Sequence, residues 1–513
     1  MSRRSRPRGP RLLRLPLLLL IWGGFAISMW VPAVHALIAD DHKTSQSFFY
    51  AGLLGLMMVS FIGLSVAHHT PRYGMPGQLM TLLATFVFLP MYLAIPLQES
   101  LQNTSYLNAY FDMVSALTTT GADIYADPAR LPASVHLWRA LVAWLGGLFM
   151  WVAASAVLAP LSLGGFEVTA RAEPGDGQGI GIREVRRPGS RRMLIKVATT
   201  LAPVYFGLTL VLSTLLLLSG EDGFVAVSHA MSIMATSGLS PVGGLENASS
   251  GLAGEMVMFL FMLFALSRLT FSSDTVAHGQ NRLDKDPEFR TGLLIIFAVP
   301  LLLFLRHWLA AFEVNTSHEL ALALASFWGA VFTVTSFLTT TGFQSMDWES
   351  ARQWSGLDTP GMILMGLAVM GGGVATTAGG VKLLRVYALY LNGLRDMERL
   401  VLPNSVSGMT RGARRLQSNG AFVAWIFFML FALSVTAISI ALSAVGLNFE
   451  DALILTVATL STTGPLTEAA GANPIDLGLL AAPAKLILCG AMVLGRLETL
   501  AIIALLSPNL WRN

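Results

Sequence analysis

Four short stretches of the chain join hydroxyl side chains to a glycine: LTTTG ending at Gly121, MATSG at Gly238, LTTTG at Gly342 and LSTTG at Gly464. Successive glycines lie 117, 104 and 122 residues apart, and each follows a semi-polar segment of 14–22 residues (107–120, 223–237, 320–341 and 450–463). Glycine allows backbone dihedrals that a side chain would forbid. Threonine adds a hydroxyl oxygen with little bulk. Four such loops around one axis would form a ring of oxygens with no fixed positive charge, able to replace the hydration shell of a monovalent cation. A divalent ion favours carboxylates, and none precedes the glycine in any of the four loops. The ring would consist of Thr119, Thr120 and Gly121; Thr236, Ser237 and Gly238; Thr340, Thr341 and Gly342; and Thr462, Thr463 and Gly464. One Thr-Thr-Gly is an ordinary turn. Four, each at the end of a short semi-polar segment, form a pattern.

The elements that must position these loops are hydrocarbon-rich. Of 513 residues, 54% are hydrophobic and 12% charged, and the mean hydropathy is +0.63. A soluble chain carries about 25% charged residues, so a polytopic, all-α integral membrane protein is expected. Segments of spanning length lie at 15–37, 48–67, 78–97, 136–162, 194–219, 253–273, 291–313, 357–398, 420–446 and 478–507. Several of the four semi-polar segments are too short or too polar to span. They suit re-entrant helices buried in protein, where irregular backbone is tolerated at membrane depth. The result is a fourfold repeat of span, re-entrant helix, Thr/Ser-Gly loop and span, over 78–162, 194–273, 291–398 and 420–507. All four repeats have the same sidedness, so a pseudo-symmetry axis along the membrane normal is expected, with the site where the repeats meet. Two further spans, 15–67, precede the repeats behind a basic stretch, 1–14. That start could also be read as a signal peptide with a loose VHA cleavage site. The length of its apolar run favours a retained helix, and downstream topology is the same either way.

Charge sets the orientation. Arg3, Arg4, Arg6, Arg8, Arg11 and Arg14, the basic residues around 163–193, Arg282, Lys285 and Arg290, and Arg395, Arg399, Arg411, Arg414 and Arg415 all fall on one side. The positive-inside rule makes that side the cytoplasm. The opposite loops carry Asp123, Glu221, Asp347, Glu450, Asp451 and Glu468, among other acids, which would raise local cation concentration modestly. The lone Cys489 lies in an apolar run and leaves no intrachain disulfide. No zinc spacing, nucleophile elbow or phosphate-binding glycine loop is present. Neither an enzyme nor an organic cofactor is expected, and the basic residues flank spans instead of forming a nucleic-acid patch.

Segment 357–398 is 42 residues long. A straight helix of that length would reach about 63 Å, against a hydrocarbon core of about 30 Å. A break is expected at GGGVATTAGG, residues 371–380, because each glycine costs about 1 kcal/mol against alanine in a helix interior. Small-residue packing between helices is the plainer alternative there. Arg496 stands in an otherwise apolar segment, where an arginine faces a water-filled cavity or a partner. Lys485, 11 residues earlier, shares its helix face about 16 Å away. Glu498, two residues on, points elsewhere and cannot pair with Arg496 within the helix. His68 and His69 read as interfacial residues, with a pH sensor as the alternative.

In combination, ALTTTGADIYADP with LWRALVAWLGGLF, then GGGVATTAGGVKLLRV, then AKLILCGAMVLGRLETL with SPNLW resemble the Trk/Ktr/HKT superfamily of potassium transporters, most closely TrkH. The resemblance spans roughly 15–511, and the two extra N-terminal spans favour TrkH over the shorter Ktr subunits. It implies K⁺ as the transported ion, bound at the selectivity-filter residues named above. It also implies a gate formed by Gly371, Gly372, Gly373, Thr376, Thr377, Gly379 and Gly380, with Arg496 as a cationic barrier beneath the filter. Glycine at position 121 argues for K⁺, since a serine there accompanies Na⁺ transport in plant relatives. ATSGLS at the second filter and TTGPLT at the fourth depart from the commoner patterns. Ala375 and Ala378 replace the usual glycines, so a stiffer loop is expected. The resemblance further implies a homodimer in a bacterial inner membrane, N-terminus cytoplasmic, regulated by a cytosolic TrkA-like nucleotide-binding ring. The inner loops 163–193 and 395–415 are candidate docking surfaces or membrane-lipid contacts. A Na⁺ or other monovalent cation transporter of the same fold is the alternative, and an organic-solute secondary transporter a more distant one.

Overall fold

The computed structural model describes residues 16–66, 75–125, 127–158, 191–267, 286–310, 320–356, 360–401 and 411–498, all helix and connecting loop. The basic stretch 1–14, most of the 163–193 and 274–290 loops, His68, His69 and the segment after Glu498 lie outside the described residues. Among the described residues, seven helices are long and apolar enough to cross a membrane, and the chain is a multi-pass membrane protein. Its polarity is inside out. Leu54, Phe61, Leu210, Leu302 and Leu433 are exposed on the outside, where lipid would cover them, whereas Thr119, Thr120, Thr340 and Thr341 are fully buried in the centre.

The first span is α1 (Leu17–Ser28) running into α2 (Trp30–Ile38), and α3 (His42–Val66) is the second. Both lie at the edge of the repeats, against α4 (Met75–Ser100). Repeat one is α4, the short α5 (Tyr106–Leu117) and α6 (Ala133–Ala153); α6 continues as one π-helical turn over Ala154–Leu158. Repeat two is α7 (Arg191–Leu218), the short α8 (Gly223–Ala235) and α9 (Gly251–Met262). Repeat three is α10 (Pro287–Ala310), the short α11 (Leu320–Leu338), an outer helix α12 (Trp348–Ser355), and a broken helix, α13 (Gly361–Met370) and α14 (Leu383–Val401). Repeat four is α15 (Arg411–Ala444), the short α16 (Phe449–Leu460), one turn α17 (Leu466–Ala469), and α18 (Ala482–Leu497).

Local sequence explains where the short helices start. Ser105 caps α5, its side chain accepting the Asn108 amide at 3.2 Å. Glu450 and Asp451 occupy the first turn of α16, where carboxylates complement the helix dipole. The turn before α8 is tied to the start of α9 by Glu221. Its carboxylate accepts the Ser249 amide and hydroxyl at 3.1 and 3.0 Å, and the Ser250 amide and hydroxyl at 3.3 and 2.6 Å. Burial pushes the Glu221 carboxyl up, but these bonds outweigh it and hold the group below its ordinary range.

The repeats close head to tail. Helix α6 packs on α8, α9 on α11, α13 on α16, and α18 returns to α5. In each case the second long helix of one repeat covers the short helix of the next. Outside these packing relations stands α12, an amphipathic outer helix carrying a Glu349–Arg352 ion pair at 2.9 Å; its short sequence gave no spanning signal.

Candidate functional site

All four short helices end the same way. The amide of Thr119 reaches the Ala116 carbonyl at 2.9 Å and that of Thr120 the Ser115 carbonyl at 2.8 Å. The same pair of bonds recurs as Thr236–Ile233 and Ser237–Ser232, as Thr340–Phe337 and Thr341–Ser336, and as Thr462–Thr459 and Thr463–Ala458. This is the Schellman C-cap, whose central residue takes a left-handed conformation and is usually glycine. Here it is threonine four times, with φ of 55°, 52°, 57° and 54° at Thr119, Thr236, Thr340 and Thr462. A β-branched residue in that region is a real outlier and costs about 1–2 kcal/mol. Strain repeated at four equivalent points is what a built site looks like.

Two residues beyond each strained threonine comes the glycine, and the four loops meet there. A Cβ on Gly121 would lie 1.6 Å from the Ser237 carbonyl oxygen of the second loop. One on Gly238 would lie 2.2 Å from the Thr341 oxygen of the third, and one on Gly342 2.7 Å from Pro465 Cγ of the fourth. Gly464 closes the circle: its amide donates to the Thr120 carbonyl at 2.6 Å. The twelve residues singled out by spacing are thus brought into one ring. Gly121, Gly238 and Gly342 have φ of 68°, 69° and 90°; Gly464 does not share this conformation. Outside the ring opens a vestibule of about 490 Å³, lined by Asp123, Glu246, Glu468 and Asp476 among others.

Inside the ring lies the break in repeat three. Helix α13 stops at Met370, and Gly371 turns the chain with φ 71°. The loop is pinned at its base, where Val381 and Lys382 amides bond back to Val369 and Met370 carbonyls at 2.8 and 2.9 Å. Its tip touches the ring. The Gly379 amide donates to the Thr340 hydroxyl at 2.7 Å, and the Thr377 hydroxyl to the Met234 carbonyl at 3.3 Å. On another flank of the loop the Val374 amide donates to Glu288 at 3.0 Å. Ala375 sits at φ 56°, a conformation glycine would adopt freely.

Arg496, 4% exposed, donates from Nη1 to the Thr377 carbonyl at 2.7 Å, while its Nε and Nη2 are buried without partners. Among the described residues it forms no ion pair. Glu498 pairs instead with the fully buried Arg385 of α14 at 2.7 Å, and Arg385 also lies 3.6 Å over the Phe427 ring. Lys382 donates to the Ala378 carbonyl. A cavity on this inner side is lined by Ala154, Leu158, Gly380, Lys382, Arg496 and Glu498, so the π-turn of α6 faces the loop. Lys485, on the face shared with Arg496, is far from this cluster; it donates to Asn108 and to the Gly478 carbonyl, both at 2.8 Å.

Sequence reasoning missed how the loops are held. Arg139 of α6 bridges Asp112 of α5 at 2.9 Å and Asp123, two residues past Gly121, at 2.8 Å, with Arg139 and Asp112 essentially unexposed. An arginine and an aspartate inside otherwise apolar helices are the signal that could have found it. In the second loop, the buried His229 of α8 shares a hydrogen bond with Ser240 at 2.9 Å and meets Phe343 of the third loop edge-on.

A family model described as TrkH, cation transport protein, matches residues 44–512. The chain is 30% identical over 417 residues to the Trk system potassium uptake protein TrkH of Vibrio parahaemolyticus, covering 80% of this chain and 81% of that protein. It is 28% identical over 499 residues to the Trk system potassium uptake protein TrkH of Escherichia coli K12, covering 95% and 97%. The crystal structure of the potassium transporter TrkH from Vibrio parahaemolyticus superposes with a TM-score of 0.78 over 98% of this chain and 99% of that one, at 24% identity.

Proposed function

The chain belongs to the TrkH family of cation transport proteins, which are transporters and not enzymes, and from that premise we propose that it is the gated, K⁺-conducting subunit of a Trk-type potassium uptake system. The observation that carries the proposal is the closed ring of four loops, each launched from a strained threonine and each touching the next. A ring of backbone and hydroxyl oxygens strips and replaces the water around a monovalent ion without a carboxylate to trap a divalent one. In this reading Thr119, Thr120, Gly121, Thr236, Ser237, Gly238, Thr340, Thr341, Gly342, Thr462, Thr463 and Gly464 form the selectivity filter. Gly121 sets the first wall, and its glycine identity supports K⁺ over Na⁺.

The loop from Gly371 to Gly380 is the gate. It hydrogen-bonds the inner end of the ring through Gly379 and Thr340. Arg496 holds the seated loop by the Thr377 carbonyl, and its unpartnered nitrogens put a positive charge on the cation's way out. Opening requires Gly379 to leave Thr340 and Thr377 to leave Arg496. The relatives are named as parts of a Trk system, which supports a multi-component assembly. We propose a homodimer in a bacterial inner membrane, N-terminus cytoplasmic, whose gate is driven by a cytosolic nucleotide-binding ring docked on the basic inner loops.

Rb⁺ uptake in cells lacking their own K⁺ uptake, with Na⁺ and NH₄⁺ as competitors, tests the reading. Rescue of growth at low K⁺, lost or turned toward Na⁺ by Gly121→Ser, is the expected result. Absence of K⁺-dependent rescue with every regulatory partner supplied would overturn it.

A further inference from the structure

We infer that Glu255, on the second helix of repeat two, is a positioning residue for the third filter loop and thereby a determinant of ion selectivity. Glu255 lies on α9 and is 2% exposed. Its Oε1 accepts the Met346 amide at 2.6 Å. Its Oε2 accepts the Ser345 hydroxyl at 2.8 Å and the Trp328 indole N–H at 2.9 Å. Ser345 and Met346 are the third and fourth residues past Gly342, where the filter loop leaves the ring, and Trp328 is on α11, the short helix that launches it. One carboxylate from a neighbouring repeat thus ties together both ends of the third filter element. Ser345 is itself a junction, its amide donating to the Thr333 hydroxyl at 3.2 Å and its own oxygen accepting the Asp347 amide at 3.2 Å.

The contacts suit a carboxylate acceptor. Three groups converge on Glu255, two of them N–H donors that cannot reverse roles. An ionised carboxylate is the side chain that accepts everywhere and donates nowhere. Among the described residues no lysine or arginine forms an ion pair with it, so it is not the acidic half of a salt bridge. A buried anion is retained at membrane depth only where donors satisfy it, and every donor here belongs to, or launches, the filter loop. In the first repeat Arg139 bridges to Asp123 and does the corresponding work with the charge reversed.

The inference rests on the filter reading above, and the experiment separates the two. Glu255→Gln keeps shape. Its amide oxygen can still take the Met346 N–H, but its NH₂ would face the Trp328 N–H, donor against donor. Trp328→Phe removes that clash and lets the NH₂ donate to the Ser345 oxygen. K⁺-over-Na⁺ preference is measured as Rb⁺ uptake with Na⁺ competition, normalised to protein in the membrane. E255Q is expected to lower the preference about tenfold, the size of one lost charge-assisted hydrogen bond. W328F alone should lose less, and E255Q/W328F should recover most of what E255Q lost. Ser345→Ala, which introduces no clash, should lower the preference by a smaller factor and serves if E255Q does not reach the membrane. Unchanged preference in E255Q or S345A, or a double variant no better than E255Q, would overturn the inference. Gly121→Ser run alongside reads the filter itself. If G121S alters the preference and the Glu255 variants do not, the positioning role fails alone; if G121S also leaves it unchanged, the filter reading fails first.

Discussion

Gly379→Ala should make the transporter leak. Gly379 lies in the loop proposed as the gate, and its amide holds the Thr340 hydroxyl at 2.7 Å. A Cβ there would stand 2.1 Å from the Ser461 carbonyl oxygen and 2.2 Å from Thr462 Oγ1. Relieving those contacts needs the loop tip to withdraw by about 1.4 Å, since non-bonded atoms settle near 3.5 Å. That stretches the Thr340 bond beyond the useful hydrogen-bond range. Overpacking of this kind costs about 1–3 kcal/mol and the lost bond about 0.5–1.5 kcal/mol. The penalty falls on the seated loop alone, because Gly379 does not use the left-handed conformation and alanine is tolerated once the loop withdraws. A bias of roughly 1.5–4.5 kcal/mol against the seated state raises the unseated population about tenfold to about two-thousandfold. Purified protein in liposomes, without a regulatory partner, should show faster ⁸⁶Rb⁺ entry with K⁺ preference kept. Flux at or below the wild-type level, in a variant that still elutes and melts normally, would refute the seating of this loop as the closed state.

The other expectations follow from neighbouring contacts. Arg496→Gln removes the Thr377 clamp and the barrier charge, so partner-free leak should rise; unchanged flux with intact folding would sink that role. Arg139→Met strands Asp112 and Asp123, and breaking a buried pair on one side costs about 3–5 kcal/mol. It should therefore lower the melting temperature in detergent far more than Asp123→Asn, and equal effects would count against the bridge. Glu221 is held below its ordinary range, so its contribution is full above the unfolded carboxyl value of about 4.3 and fades as pH falls through the lower folded value. The melting-temperature gap between wild type and Glu221→Gln should be constant from pH 7 to 5 and shrink below about pH 4; a gap that grows on acidification would be wrong for this linkage.

Much of the fold was legible because hydrocarbon spans and Thr-Gly loops leave strong local signals. The four short helices start and stop within a few residues of the semi-polar segments, and the glycine run announced a break after Met370. Less legible were contacts between distant segments. Nothing in the spacing of Gly121 and Ser237 says that they touch, or that Gly379 reaches Thr340. The left-handed threonines were also unreadable, because propensity assigns that position to glycine and only the ring's packing overrides it. Arg496 invited two readings, barrier or ion pair. Glu498 turned out to take Arg385, which leaves Arg496 without a carboxylate among the described residues.

Each quarter of the ring is fastened by its own hardware: Arg139 in the first loop, His229 in the second, Glu255 at the third, and in the fourth the Thr467 hydroxyl donating to the Gly464 carbonyl at 2.9 Å. In a pore assembled from four identical subunits, any substitution is copied into every wall at once. Here a single codon change moves one wall and leaves three standing. On the filter reading proposed above, ion preference can therefore be altered one wall at a time.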